Sequence, residues 1–141
     1  MELIRDNWDI PPGSLADKTP TKEEIKINTT WVSDTKSWYS IHVRKGDVDI
    51  IPKRIGGGMF RHKDPHDIHL FSRGKGGKDK LWKMELEVQR ILALNTNSPF
   101  TGVQYLTWTG PRQAAQNSED RQQDIFHSIF TVELNYNKVI T

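Results

Sequence analysis

The chain contains no cysteine, so disulfides and thiolate metal sites are excluded. Apolar residues are scarce as well, at 35% of 141 residues with a mean hydropathy of −0.68, which predicts a lean core. No apolar run approaches the roughly 18 residues of a membrane-spanning helix, so no membrane partner is expected. Met1 to Gly13 lacks a basic stretch followed by an apolar one, so no secretory signal is expected and synthesis inside a cell is the default. Catalytic signatures are missing too. There is no HExxH zinc helix and no Gly-x-Ser-x-Gly elbow. The loop Gly74 to Lys78 is followed by Asp79, where a phosphate-binding loop needs Ser or Thr. Asp47, Asp49, Asp64 and Asp67 could suggest two-metal hydrolysis, but no Glu-x-Lys follows them; Glu24-Ile25-Lys26 lies upstream. His62, His66 and His69 would need a turn at Asp64-Pro65 to converge on a metal, and no fourth ligand stands at a familiar spacing. Strand-surface residues are the plainer reading. No catalytic, cofactor-binding or metal-ligating residue is assigned, and no enzyme is expected.

What is present is one strong helical period. In Lys78 to Thr96, Leu81, Met84, Val88, Ile91 and Leu92 recur at three- and four-residue steps and form one apolar stripe. Lys83, Glu87 and Arg90 are expected on the wet side, and Asp79 at the positive end of the dipole. Pro99 cannot continue the helix. A single stripe needs a surface to lie on, and the flanking runs supply strands. Tyr39, Ile41 and Val43 alternate, and Val48 to Ile51 is a short extended run cut by Pro52. Met59 to Lys63 and Ile68 to Ser72 follow, with Asp64-Pro65 read as a turn between them. After the helix come Val103 to Thr109, closed by Gly110-Pro111, and a polar loop over 112–124. In the last strand, of about ten residues, Phe126, Ser128, Phe130, Val132, Leu134 and Tyr136 share a face; its length predicts a central place. Tight turns predict antiparallel pairing. The fold class expected is α+β: an antiparallel sheet with one main helix packed on one face, plus an extended N-terminal arm. The arm is 1–35 and the single domain 36–141.

Residues 1–35 read as an arm with little fold of its own: Met1 to Trp8 can make one or two helical turns with Leu3, Ile4 and Trp8 as the apolar residues, Pro11-Pro12-Gly13 ends them, and Ser14 to Glu24 is polar around Pro20. They read either as a disordered tail or as an arm that orders on a partner, Trp8 and Trp31 arguing for the second. Core packing is the alternative for Trp31. The net charge of +2 divides into −3 over residues 1–35, +7 over 36–83 and −2 over 84–141. A basic block between acidic ones fits contact with other protein copies. It also fits a nucleic-acid-binding module that uses the 36–83 block, with Trp38, Tyr39, Phe60 and Phe71 among its cations. A third reading, a metal-dependent hydrolase, would rest on Asp47, Asp49 and Asp67.

Four stretches carry a resemblance: MELIRDNWD (Met1 to Asp9), DIHLFSRG (Asp67 to Gly74), MELEVQRIL (Met84 to Leu92), and GVQYLTWTG with IFTVELNY at the end. Together they resemble the tail terminator and tail-completion (neck) proteins of tailed viruses, especially those of archaeal tailed viruses. The resemblance implies a non-catalytic virion protein made in the host cytoplasm. Such α+β subunits close into a ring, commonly a hexamer, that ends the tail tube and joins it to the head connector. It implies connector and tail-tube proteins as partners, with non-specific proximity to DNA. Trp8, Trp31, Arg54 and Arg61 are the interface residues expected on this reading, and the loop Arg112 to Asp124 a second contact.

Overall fold

A computed structural model describes residues 2–8, 26–28, 39–52, 58–74, 76–97, 99, 101–114 and 125–139. The elements are α1 (Glu2–Asn7), β1 (Lys26–Asn28), β2 (Tyr39–Lys45), β3 (Asp49–Pro52), β4 (Met59–Arg73), α2 (Gly77–Leu94), β5 (Tyr105–Gln113) and β6 (Ile125–Val139). One sheet runs β1-β2-β4-β6-β5, with β3 also on β4. The class is α+β, as the residue pattern predicts. All pairings are antiparallel except β1 with β2, which is parallel.

The sheet is organised by two fifteen-residue strands, β4 and β6, paired along their whole length from Met59↔Val139 to Arg73↔Ile125. The expected turn at Asp64-Pro65 does not exist. Pro65 sits inside β4, opposite Glu133. Its carbonyl accepts from Gly46 N at 2.8 Å. In an antiparallel ladder a residue's N–H and C=O point to the same neighbour, so the donor Pro65 lacks points away from β6. It points at the break between β2 and β3. There Gly46, Asp47 and Val48 lie against Asp64 and Pro65, three residues against two, which is a bulge. A Cβ on Gly46 would stand 3.1 Å from the Pro65 ring. β2 and β3 are thus two halves of one interrupted strand along the same edge of β4.

α2 lies on one face of this sheet. Its stripe of Leu81, Met84, Val88, Ile91 and Leu92 is buried, as the spacing predicts, against Ile41, Ile68, Leu70, Phe130 and Val132. Each such side chain contributes about 1.5–3 kcal/mol. Gly76, left-handed at φ 78°, precedes the first turn, and Asp79 lies within that turn. Asn95 closes the other end, its side-chain amide donating to Ile91 O at 2.7 Å. The expected wet side needs correction. Glu85 and Glu87 are buried, while Trp82 and Leu86 are exposed. Gln113 Nε2 donates to Glu85 at 3.1 Å and Arg90 Nε to Glu87 at 3.0 Å, so both carboxylates keep partners inside.

Where the N-terminal arm is described, it joins the body. Ile4 and Trp8 are buried in the core, and Arg90 Nη2 donates to Asn7 O at 2.7 Å, tying α1 to α2. A six-residue helix has little stability alone, so this packing is what holds it. β5 runs past the expected stop at Gly110-Pro111, with a register shift between Thr109 and Arg112. Of the loop 112–124, residues 112 and 113 belong to β5, and 115–124 lie outside the described residues.

Candidate functional site

The pleat assigns every chemistry-bearing side chain to one of two faces. On the helix side, His66 lines an apolar cleft of about 70 Å³ with Leu3, Ile4, Ile68, Leu92 and Leu134. Asp64, two residues earlier on the same face, lies between Lys45 Nζ at 3.6 Å and His66 Nε2 at 3.3 Å. The second contact is an ion-pair approach without hydrogen-bond alignment. Burial holds the His66 imidazole below its ordinary range; Asp64 opposes that shift, and Lys45 adds to it. His62 stacks on Tyr136 with ring centroids 5.0 Å apart.

The opposite face carries a different group. His69 Nδ1 and His127 Nε2 are 2.8 Å apart, so one ring donates and the other accepts. Phe71 stacks on His127 at 4.1 Å and meets the edge of His42 at 5.4 Å. Burial lowers the His69 pKa; Asp67 opposes, while Arg112, His42 and Arg44 reinforce the shift. Asp67 accepts from Thr131 Oγ1 at 2.9 Å.

These placements separate the candidates for chemistry. His62 and His66 stand four residues apart on a straight strand, about 13 Å at the usual rise, and His69 points to the other face. Asp64 and Asp67 are also on opposite faces, and Asp47 and Asp49 are exposed at the β3 edge. Among the described residues no group of three or more His, Asp or Glu could hold a metal ion. No described helix is long and apolar enough to cross a membrane.

The four expected interface residues fall as follows. Trp8 is not on the surface: it is 4% exposed, in the chain's own core. The short helix expected over Met1 to Trp8 is present as α1, and its apolar residues Leu3, Ile4 and Trp8 pack on the chain's own core instead of standing free for a partner. Arg61 is half-buried, its guanidinium donating to Asn135 Oδ1 at 3.2 Å and lying 5.4 Å from the centre of the Tyr105 ring. Trp31 and Arg54 lie outside the described residues.

The surface features that the motif reading passed over are apolar. Trp82, Leu86 and Leu94 on α2 are 55%, 41% and 71% exposed, and Ile50 and Ile51 on β3 are 51% and 42% exposed. Trp82 and Leu86 are spaced i, i+4 off the buried stripe, so this second stripe was readable from the sequence. Lys83 Nζ lies 5.1 Å from the Trp82 ring centre, close enough for a cation–π contact. Ile50 and Ile51 point to opposite faces of the sheet, Ile50 across from His62 on the helix side and Ile51 across from Arg61 on the other.

No protein-family model matches the chain, and no curated protein matches it.

Proposed function

We propose that this chain is a structural subunit of the neck of a tailed-virus particle. Copies close into a ring that ends the tail tube and joins it to the head connector. It acts without catalysis, cofactor or membrane, and it resides in the virion. The reading rests on the resemblance in the four stretches named above. The observation that carries it in the structure is that large apolar side chains stand in solvent on two separate surfaces, the outer face of α2 and the β3 edge. Large exposed apolar groups mark contact sites, and a subunit with two different contact surfaces builds rings or filaments instead of simple two-fold dimers.

The competing nucleic-acid module draws less support. On the sheet, four of the described cations of 36–83 stand beside an acid or an acceptor. Lys45 approaches Asp64, Arg61 bonds Asn135, and Arg44 and Lys63 stand directly across from Asp67 and Asp49 on neighbouring strands. Sedimentation velocity and negative-stain imaging of the purified full chain, over a range of concentration and salt, test the proposal. Closed rings of one subunit number are expected. A strict monomer under every condition, or salt-sensitive binding to duplex DNA without self-association, would refute it.

A further inference from the structure

We propose that His69 and His127 form a proton-sensitive latch between β4 and β6, closed when the pair is neutral or carries one extra proton and open when it carries two. The latch lies within each subunit, so it stands apart from the ring reading. The two rings are diagonal neighbours across the ladder, because His127 stands opposite Phe71, two residues beyond His69. Their facing nitrogens, His69 Nδ1 and His127 Nε2, are 2.8 Å apart. In the neutral pair one nitrogen carries a hydrogen and donates, and the other accepts. One extra proton makes this a charge-assisted bond, which is stronger. A second extra proton sets an N–H of about 1 Å on each side of the 2.8 Å gap. Two hydrogens and two like charges then face each other, and the rings must part.

The surroundings decide where the single charge rests. His69 is faced by His42 and Arg44 from β2 and by Arg112 from β5, and Asp67 on its own strand offsets them. The His127 ring is stacked on Phe71 at 4.1 Å, and the negative face of the phenyl ring favours a cation. Arg73 shares this side of the sheet, two residues past Phe71. His127 therefore holds the first extra proton, and its Nε2–H donates to His69 Nδ1. The latch holds more than two side chains. The His127 carbonyl accepts from Ala114 N at 3.1 Å. Residue 127 thus ties β6 to β4 through its ring and to β5 through its backbone. When the rings part, the sheet end formed by 112–114 and 125–129 loses a cross-strand tie, while the helix α2 keeps its own bonds.

Imidazole nitrogen NMR and amide hydrogen exchange of the full chain, followed from neutral to acid pH, test this. The His69 and His127 rings should shift together in two steps at least about one pH unit apart. Across the lower step, amide protection at 112–114 and 127–129 should fall about tenfold relative to amides 88–92 of α2. In His127→Phe the stacking shape remains and the nitrogens are gone, so His69 should titrate in one step and the sheet end should no longer respond to it. His127→Gln, which can hydrogen-bond His69 but takes up no proton, should give the same result if the phenylalanine variant folds poorly. Single independent steps for the two rings, with the His69 midpoint unmoved by either substitution, would overturn the proposal. So would two coupled steps with no change in exchange, since the pair would then share protons without opening anything. A loss of protection that α2 shares equally, or that persists in both variants, would also overturn it, because its cause would lie outside the pair.

Discussion

Replacing Trp8 by Ala probes whether the first residues are part of the folded body. Trp8 is buried with Ile4 under α2, and α1 is tied to α2 by the Arg90 to Asn7 bond. Truncating a buried Trp costs about 3–5 kcal/mol through lost transfer energy and the cavity left behind. A limit applies here that does not apply to a residue inside the sheet. The segment 2–8 lies outside the sheet, and it can detach when its anchor is gone. Detachment returns about 1–2 kcal/mol of backbone entropy per residue. The loss therefore cannot exceed the free energy that docks the segment. About 3 kcal/mol is expected, a drop in Tm of roughly 10 °C for a chain of this size. Urea denaturation should show it, with a slightly smaller m value because the variant's native state already exposes the segment. Ile4→Ala added to Trp8→Ala should cost little more, since both residues dock the same unit. A loss under about 1 kcal/mol, or full additivity of the two changes, would refute the packing argument. If Trp8 anchored a neighbouring subunit instead, its removal would weaken association and leave the monomer's stability unchanged.

Two further outcomes follow from geometry. Gly110 has φ 116°, and a Cβ there would stand 2.9 Å from Ile129 O; Gly110→Ala should destabilise by about 1–3 kcal/mol in urea titration, and an unchanged midpoint would show that the bulge relaxes freely. Acid should also destabilise the fold. His66 and His69 are both lowered from 6.5 in the folded chain, so the unfolded chain binds more protons as pH falls below 6.5. Their contribution is complete above that value and is lost as pH falls through the folded values. Stability measured at steps between pH 7.5 and about 5 should fall more steeply in the native chain than in His66→Gln with His69→Gln; equal slopes would show that these two imidazoles are not the cause.

Much of the architecture was legible because it is local. The stripe on α2, the alternation along β6 and the central place of β6 depend on spacing within one segment, and all three appear in the structure. Pro65 misled for an equally physical reason. An Asp-Pro pair signals a turn unless the proline's missing donor falls beside a break in the neighbouring strand, and the bulge at Gly46 to Val48 supplies that break. The helical turns of α1 were legible from Leu3, Ile4 and Trp8, but that Trp8 packs in the chain's own core and not on a partner depends on residues distant in sequence. The His69 and His127 pair could not be foreseen, since the rings are 58 positions apart in the chain and meet only in the register of β4 on β6.

Thus the sequence by itself determined the α+β class, the one long helix, and the absence of cysteine chemistry, because these follow from composition and from each residue's near neighbours. The tertiary structure alone decided which acids turn inward, where Trp8 goes, which imidazoles touch and that Ile50 and Ile51 stay in solvent. Those outcomes depend on strand register between distant segments, where a shift of one residue would exchange the two faces of the sheet.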